Sequence, residues 1–305
     1  MNFTKNIKKI SHKLINVPSS KNQDRNFHLE LFDGYIKVYS VFDGHGKEGI
    51  KYAEYSRDFI KNQLINNSDK LINEDISEFL NIMIEELNND ILNNFKNYNG
   101  GTTVTIVFIR NNKDIWCLNI GDSDCVLFSD KEIKKLNSNH SPDSLDERLR
   151  IENKEVDFIY APRTRFSPYV KYVKYYEYKN NEWIKNDYDK LYHKNVNNDV
   201  ATYLKYKNIL LAMTRSIGDL QLQKVGVTYK PSINKYDFPI EDKFYIIVGS
   251  DGFWDCWKND ELYKIIQNKM EVEKFYDTHL KKALNTFGHN YDDSILYVIE
   301  LSEID

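Results

Sequence analysis

"LFDGYIKVYSVFDGHG", residues 31–46, carries Asp-Gly twice, at Asp33-Gly34 and Asp43-Gly44. Between the two, "YIKVYSVF" (35–42) alternates with Ile36, Val38 and Phe42 on one face, the period-two signature of a strand. The first Asp-Gly joins it to the strand-like "NFHLELF" (26–32) and so reads as a hairpin turn. The second is followed by "HGKEG" and then by a helical pattern. A glycine-rich strand-to-helix corner presenting Asp43 and His45 together is a place for chemistry, because glycine lets the backbone approach another group closely.

Outward from this corner, "TTVTIVFI" (102–109), "DIWCLNI" (114–120), "ILLAM" (209–213), "KFYIIVGS" (243–250) and "SILYVI" (294–299) read as short strands bounded by Gly, Asn or Asp. Residues 50–66 are amphipathic. Residues 75–96 place Ile76, Phe79, Leu80, Met83, Ile84, Leu87, Ile91 and Phe95 at three- and four-residue steps, a helical stripe that belongs to a core. Two further helices are expected near 259–270, capped by Asn259, and near 272–286, ended by Gly288. Strict βαβα alternation is absent, so the class is α+β, antiparallel sheets with helices on their outer faces.

A third Asp-Gly, Asp251-Gly252, ends the 243–250 strand, and Asp292 and Asp293 precede the last one. Singly, such acids are turns or caps. Converged at one sheet edge they would be unstable, since two carboxylates about 4 Å apart repel by about 4 kcal/mol at an effective dielectric near 20. An all-oxygen donor set with no Cys and at most one His suits Mg2+ or Mn2+ rather than zinc, which points to a two-metal hydrolytic site.

The bulk properties exclude more than they assign. The chain has 305 residues, 41% hydrophobic and 29% charged, with a net charge of −4. Such a balance gives no long-range attraction to nucleic acid or anionic lipid, and no apolar run reaches the length of a membrane span. Neither nucleic acid nor membrane is therefore an expected partner. Cys117, Cys125 and Cys256 lack zinc-like spacing, and a reducing intracellular setting, cytoplasm or nucleus, fits them. A two-metal phosphodiesterase or nuclease is the rival disfavoured by the negative charge.

"NQDR" (22–25), "VFDGHG" (41–46), "GGTTV" (100–104), "NIGDSD" (119–124), "NHSPDSLDERLRIEN" (139–153), "LAMTRSIGD" (211–219), "GSDGFWD" (249–255) and "YDDSILYV" (291–298) resemble, in the same order, the signature motifs of the metal-dependent protein Ser/Thr phosphatases of the protein phosphatase 2C family. The resemblance implies a four-layer α-β-β-α sandwich of two antiparallel sheets flanked by helices, with a dinuclear metal site at one edge. It implies an N-terminal extension (1–16), a catalytic domain (17–301) and a short tail (302–305), acting as a monomer on phosphoprotein substrates. By position, Asp43 would bridge two Mn2+ or Mg2+ ions, the Gly44 carbonyl would join one, and Asp251 and Asp292 would ligate the other. Gln23 and Asp24 would hold metal-bound waters, and His45 would be the general acid. The implied reaction is hydrolysis of phosphoserine and phosphothreonine monoesters by a metal-bridging hydroxide. The alternative is a weak or inactive phosphatase-like scaffold that binds phosphoproteins.

Three positions depart from the family pattern. Ser19 stands where the family carries a phosphate-gripping Arg, leaving Lys21 and Arg25 as the basic candidates and implying weaker phosphate binding. Asn139 stands where an Asp is associated with a third metal, so a site shared with Asp219 would be weak. Asp124 replaces a common Arg, and Asp122 reads as structural. Residues 154–207, rich in Tyr and Lys, read as an insertion, either a flap or a substrate-docking element.

Overall fold

The computed structural model describes residues 9–95, 99–111, 113–138, 140–151, 155–162, 173–186, 200–238, 243–267 and 272–302. Apolar side chains alternate along the central strands yet fill both faces, so each face needs its own cover. Two five-stranded antiparallel sheets cover each other. One runs, in spatial order, Ser232–Asp237, Asp114–Ile120, Val104–Arg110, Ile36–Phe42, Arg25–Leu31. The other runs Lys9–Val17, Ser294–Ser302, Lys243–Gly249, Asp124–Ser129, Ile133–Lys135.

Between the sheets lie Tyr39, Val41, Val107 and Ile109 from the first and Leu127, Ile246, Val248 and Ile299 from the second. The opposite face of the first sheet, including Ile36, Val38 and Phe42, packs on the helices Gly49–Asn66 and Ser77–Asn94. The whole stripe from Ile76 to Phe95 faces that layer. The outer face of the second sheet, with Ile15, Val126 and Ile247, packs on Phe253, Leu262 and Phe275 from helices Asp251–Trp254, Asn259–Gln267 and Val272–Phe287, and on Trp257 between the first two. The result is the four-layer α-β-β-α sandwich. Buried Arg110 ties the first helix layer to its sheet: it pairs with Asp114 at the hairpin end and caps the carbonyls of Leu71, Asn73 and Glu74.

Some details differ from the sequence reading. The Asp33-Gly34 hairpin has a four-residue connection in which Tyr35 N donates to Phe32 O at 3.0 Å, and Asp33 and Gly34 both take positive φ, 53° and 82°. Those angles are what a right-twisted hairpin demands. Residues 9–16 are part of the edge strand Lys9–Val17, paired in register with Ser294–Ser302, rather than an extension. Asn259 is the first helical residue rather than the cap; Lys258 N just before it donates to the Glu261 carboxylate. Of the 154–207 insertion, the described strands Val173–Lys174, Asp157–Pro162 and Val200–Tyr206 form a sheet with Ile209–Leu211 just beyond it, and Tyr176–Lys179 with Glu182–Lys185 form a separate hairpin. Its small core includes Phe158, Tyr176, Leu204 and Leu211. The three cysteines are buried thiols, and among the described residues no helix is long and apolar enough to cross a membrane.

Candidate active site

Antiparallel order brings distant residues to one rim. Strands Ile36–Phe42, Asp114–Ile120, Lys243–Gly249 and Lys9–Val17 end there, and their partners Arg25–Leu31, Val104–Arg110, Asp124–Ser129 and Ser294–Ser302 begin there, as the pairs Arg25↔Phe42, Val104↔Ile120, Asp124↔Gly249 and Val17↔Ser294 require. The acids of the Asp-Gly corners therefore meet Asp24 and Asp122 at a single edge.

Two of the Asp-Gly glycines serve close packing rather than turning. A Cβ on Gly44 would lie 2.7 Å from Gly49 O and 2.8 Å from Gln23 O, and one on Gly252 would lie 2.0 Å from Asp293 O. Any side chain there would push the corners apart. Ser250 links them further: its hydroxyl donates to Asp24 Oδ2 at 2.7 Å and accepts from Ile295 N at 3.0 Å.

The carboxylates crowd. The Asp43 and Asp251 carboxyl groups lie within hydrogen-bonding reach of each other, and Asp24 reaches Asp43 in the same way. Burial, then the charges of Asp251 and Asp24, hold Asp43 well above the ordinary carboxylate range. Burial, then Asp122 and Asp255, do the same to Asp251. Asp24 is pushed up to about 8 and Asp122 to about 6, chiefly by burial. Asp292 is raised by burial and opposed by Lys21, and it stands at the exposed lip. Among the described residues Asp122 Oδ1 is buried with no hydrogen-bond partner.

Among the described residues no three His, Cys, Asp or Glu side chains already meet as a complete chelate. The close unit is Asp24–Asp43–Asp251, with Asp292 acting on Asp43 and Asp251 through its charge. Buried acids at this density have two ways to exist, protonated or beside cations. A hard divalent ion suits the oxygen donors, so the residues present fit Mg2+ or Mn2+.

His45 stands on the two-residue strand Gly44–His45, which pairs with Gly101–Thr102. Its Nε2 is 2.6 Å from Asp219 Oδ2, which also accepts from Ser216 Oγ at 2.6 Å. Burial alone would lower the imidazole pKa; the charge and hydrogen bond of Asp219 outweigh it and raise the value. Among the described residues His45 Nδ1 is buried without a hydrogen bond of good geometry, and the Asp43 backbone beside it helps to hold the imidazole charged.

Gln23 Nε2 donates to Gly46 O at 3.0 Å. Arg25 turns away from the rim: it donates to Glu54 at 2.9 Å and to the carbonyls of Asn22 and Asp24. Lys21 is exposed and acts electrostatically on Asp292. Asn139 lies outside the described residues; of Asp219, Oδ2 is engaged by His45 and Ser216.

Sequence reasoning assigned no role to Asp293, whose carboxylate binds the 19–23 turn, and it read Asp122 as structural. In an extended segment neighbours point opposite ways, so Asp292 and Asp293 divide the work. Which of them faces the rim is invisible in the string "DD".

A family model for protein phosphatase 2C matches residues 19–290. The chain is 28% identical to "Probable protein phosphatase 2C 72" of Arabidopsis thaliana over 80% of its length and 69% of the relative's. It is 24% identical to "Protein phosphatase 1L" of Bos taurus over 86% of its length and 63% of the relative's. Among solved structures, the serine-threonine phosphatase 2C of Toxoplasma gondii superposes with a TM-score of 0.67 at 15% identity, covering 97% of this chain and 95% of that one, a likeness of fold. With the motif order, the four layers and the acidic rim, this match over most of the chain means that it belongs to the protein phosphatase 2C family, the metal-dependent protein serine/threonine phosphatases.

Proposed function

We propose that this chain hydrolyses phosphoserine and phosphothreonine monoesters in proteins at the Asp43 rim. Asp43, Asp251, Asp292 and the Gly44 carbonyl would hold two Mn2+ or Mg2+ ions there. When bound, the ions supply positive charge against the phosphate dianion and lower the pKa of water. The observation that carries the reading is the buried Asp24–Asp43–Asp251 unit lying close to the His45–Asp219 pair.

The residues divide the remaining work. Gln23 and Asp24, at 9% and 4% exposure, are fixed by Gly46 and Ser250 and orient water at the rim. Asp219 fixes the His45 ring and keeps a proton on it. His45 then hands a proton from Nδ1, the nitrogen that Asp219 does not hold, to the departing serine or threonine oxygen. Pinning these groups before the substrate arrives removes reorganisation from the barrier, which for phosphate monoesters is very high without catalysis.

The test is phosphate release from a phosphoserine peptide with and without Mn2+, by the wild type and Asp43→Asn. The expected result is Mn2+-dependent turnover in the wild type and a fall of at least about 100-fold in the variant, in line with loss of a group that acts on the transition state. Equal rates for the two proteins would overturn the assignment.

A further inference from the structure

Residues 18–24 carry the chain from the Lys9–Val17 edge strand of one sheet to the Arg25–Leu31 edge strand of the other. The crossing is tied down on both sides of its backbone. Asp293 Oδ1 accepts from Ser19 N at 2.6 Å and Asn22 N at 3.1 Å, and its Oδ2 accepts from Gln23 N at 2.6 Å. The Ser19 hydroxyl accepts from Lys21 N at 3.2 Å. From the other side, Arg25 Nη1 donates to Asn22 O at 2.9 Å and Asp24 O at 2.8 Å. Asn22 takes φ +50°, the left-handed conformation that lets successive amides point inward as an anion nest. The nest is filled by the protein's own carboxylate, 4% exposed.

At the apex of this immobilised turn stands Lys21. Its side chain is exposed, and among the described residues its ammonium takes no hydrogen bond or ion pair, while its charge reaches Asp292 across the rim. A lysine stem has high rotamer entropy, and anchoring its base lowers the cost of ordering it on a ligand. The turn thus presents one mobile cation from a fixed root beside the acidic rim.

Resting on the phosphatase reading above, we propose that Asp293 is a positioning residue for substrate: it holds the 19–23 turn so that Lys21 meets the phosphate of the incoming phosphoserine or phosphothreonine. The position needs a carboxylate, because both oxygens accept. An asparagine would aim its NH2 at one of the amide donors, so at least one of the three bonds would be lost.

The test compares Lys21→Ala, Asp293→Asn and the double variant on a phosphoserine peptide in Mn2+. Each single change raises KM about tenfold, as loss of one charge-assisted contact would, with kcat held within about threefold. The double variant has the KM of Lys21→Ala, since Asp293 acts through that residue. Hydrogen exchange at Ser19, Asn22 and Gln23 speeds up in Asp293→Asn and not in Lys21→Ala. Lys21→Ala, an exposed change, keeps the phosphate contact testable if Asp293→Asn folds poorly. A wild type that turns over while Lys21→Ala keeps its KM overturns this inference alone, as do KM effects that multiply in the double variant. A wild type that releases no phosphate overturns the phosphatase reading and the role of Lys21 with it.

Discussion

At His45 two effects oppose: burial favours neutral imidazole, whereas Asp219, 2.6 Å from Nε2, favours imidazolium, and the second prevails. A histidine charged in this way is suited to giving up a proton, and how much that matters depends on the leaving group. A serine alkoxide is a poor leaving group and needs the proton; a nitrophenolate does not. His45→Ala should therefore lower kcat on a phosphoserine peptide by about 100-fold, the lower end of what general acid catalysis contributes, and on p-nitrophenyl phosphate by less than about threefold. Asp219→Asn should follow the same pattern more weakly. Equal losses on the two substrates would mean that His45 holds water or substrate instead of delivering a proton. In the sequence, Asp43 and His45 could be read as a chemical corner from five residues of context. The partner of His45 could not, because Asp219 lies 174 positions away and reaches it only through the Gly44–His45, Gly101–Thr102, Ile217–Gly218 strand order.

The short helix Leu145–Arg150 is tied to the segment Thr214–Arg215 through one acid. Glu147, 3% exposed, accepts from Arg215 Nη2 at 2.5 Å, Arg150 Nη2 at 2.7 Å and Thr214 Oγ1 at 2.6 Å. Burial works against its charge, yet the bonds from Arg215, Arg150 and Thr214 prevail and bring its pKa to about 2, below an ordinary 4.5. A folded-state value below the unfolded one means that this acid stabilises the fold above pH 4.5, and that the contribution drains away as pH falls from 4.5 towards 2. The difference corresponds to about 3 kcal/mol. Urea midpoints measured across that window should fall in the wild type. Glu147→Gln should be weaker by a similar amount at neutral pH and lack that part of the acid slope. Parallel slopes would refute the assignment. Elements of this kind were legible where the pattern is local: the Ile76–Phe95 stripe and the strands around Ile36 need only their own period. The Lys9–Val17 strand was hidden because Lys9, His12 and Lys13 break its apolar rhythm on an edge that faces water. Glu147 was hidden because two of its three partners, Thr214 and Arg215, are 67 and 68 residues away.

Over the whole molecule, eight strand ends deliver Asp24, Asp43, Asp122, Asp251 and Asp292 to one rim, and folding has to bear the repulsion unless cations accompany them. The sequence made this cluster plausible through strand-end acids, but proximity itself follows from the antiparallel order of two sheets. Its energetic consequence is separate from turnover. In metal-free protein near pH 7, Asp43 and Asp251 either share protons or repel across hydrogen-bonding distance, so Asp43→Asn relieves the fold while removing a ligand. The metal-free variant should melt a few degrees above the metal-free wild type, about 1 kcal/mol in a domain of this size. Adding Mn2+ at about 100 times its dissociation constant should stabilise the wild type by about 2.7 kcal/mol, and the variant by much less. The two curves should therefore cross as Mn2+ is titrated, a result that a merely structural aspartate would not give. Should Asp43→Asn be less stable without metal, and shift with Mn2+ as far as the wild type does, the acidic rim is held together by something other than divalent ions.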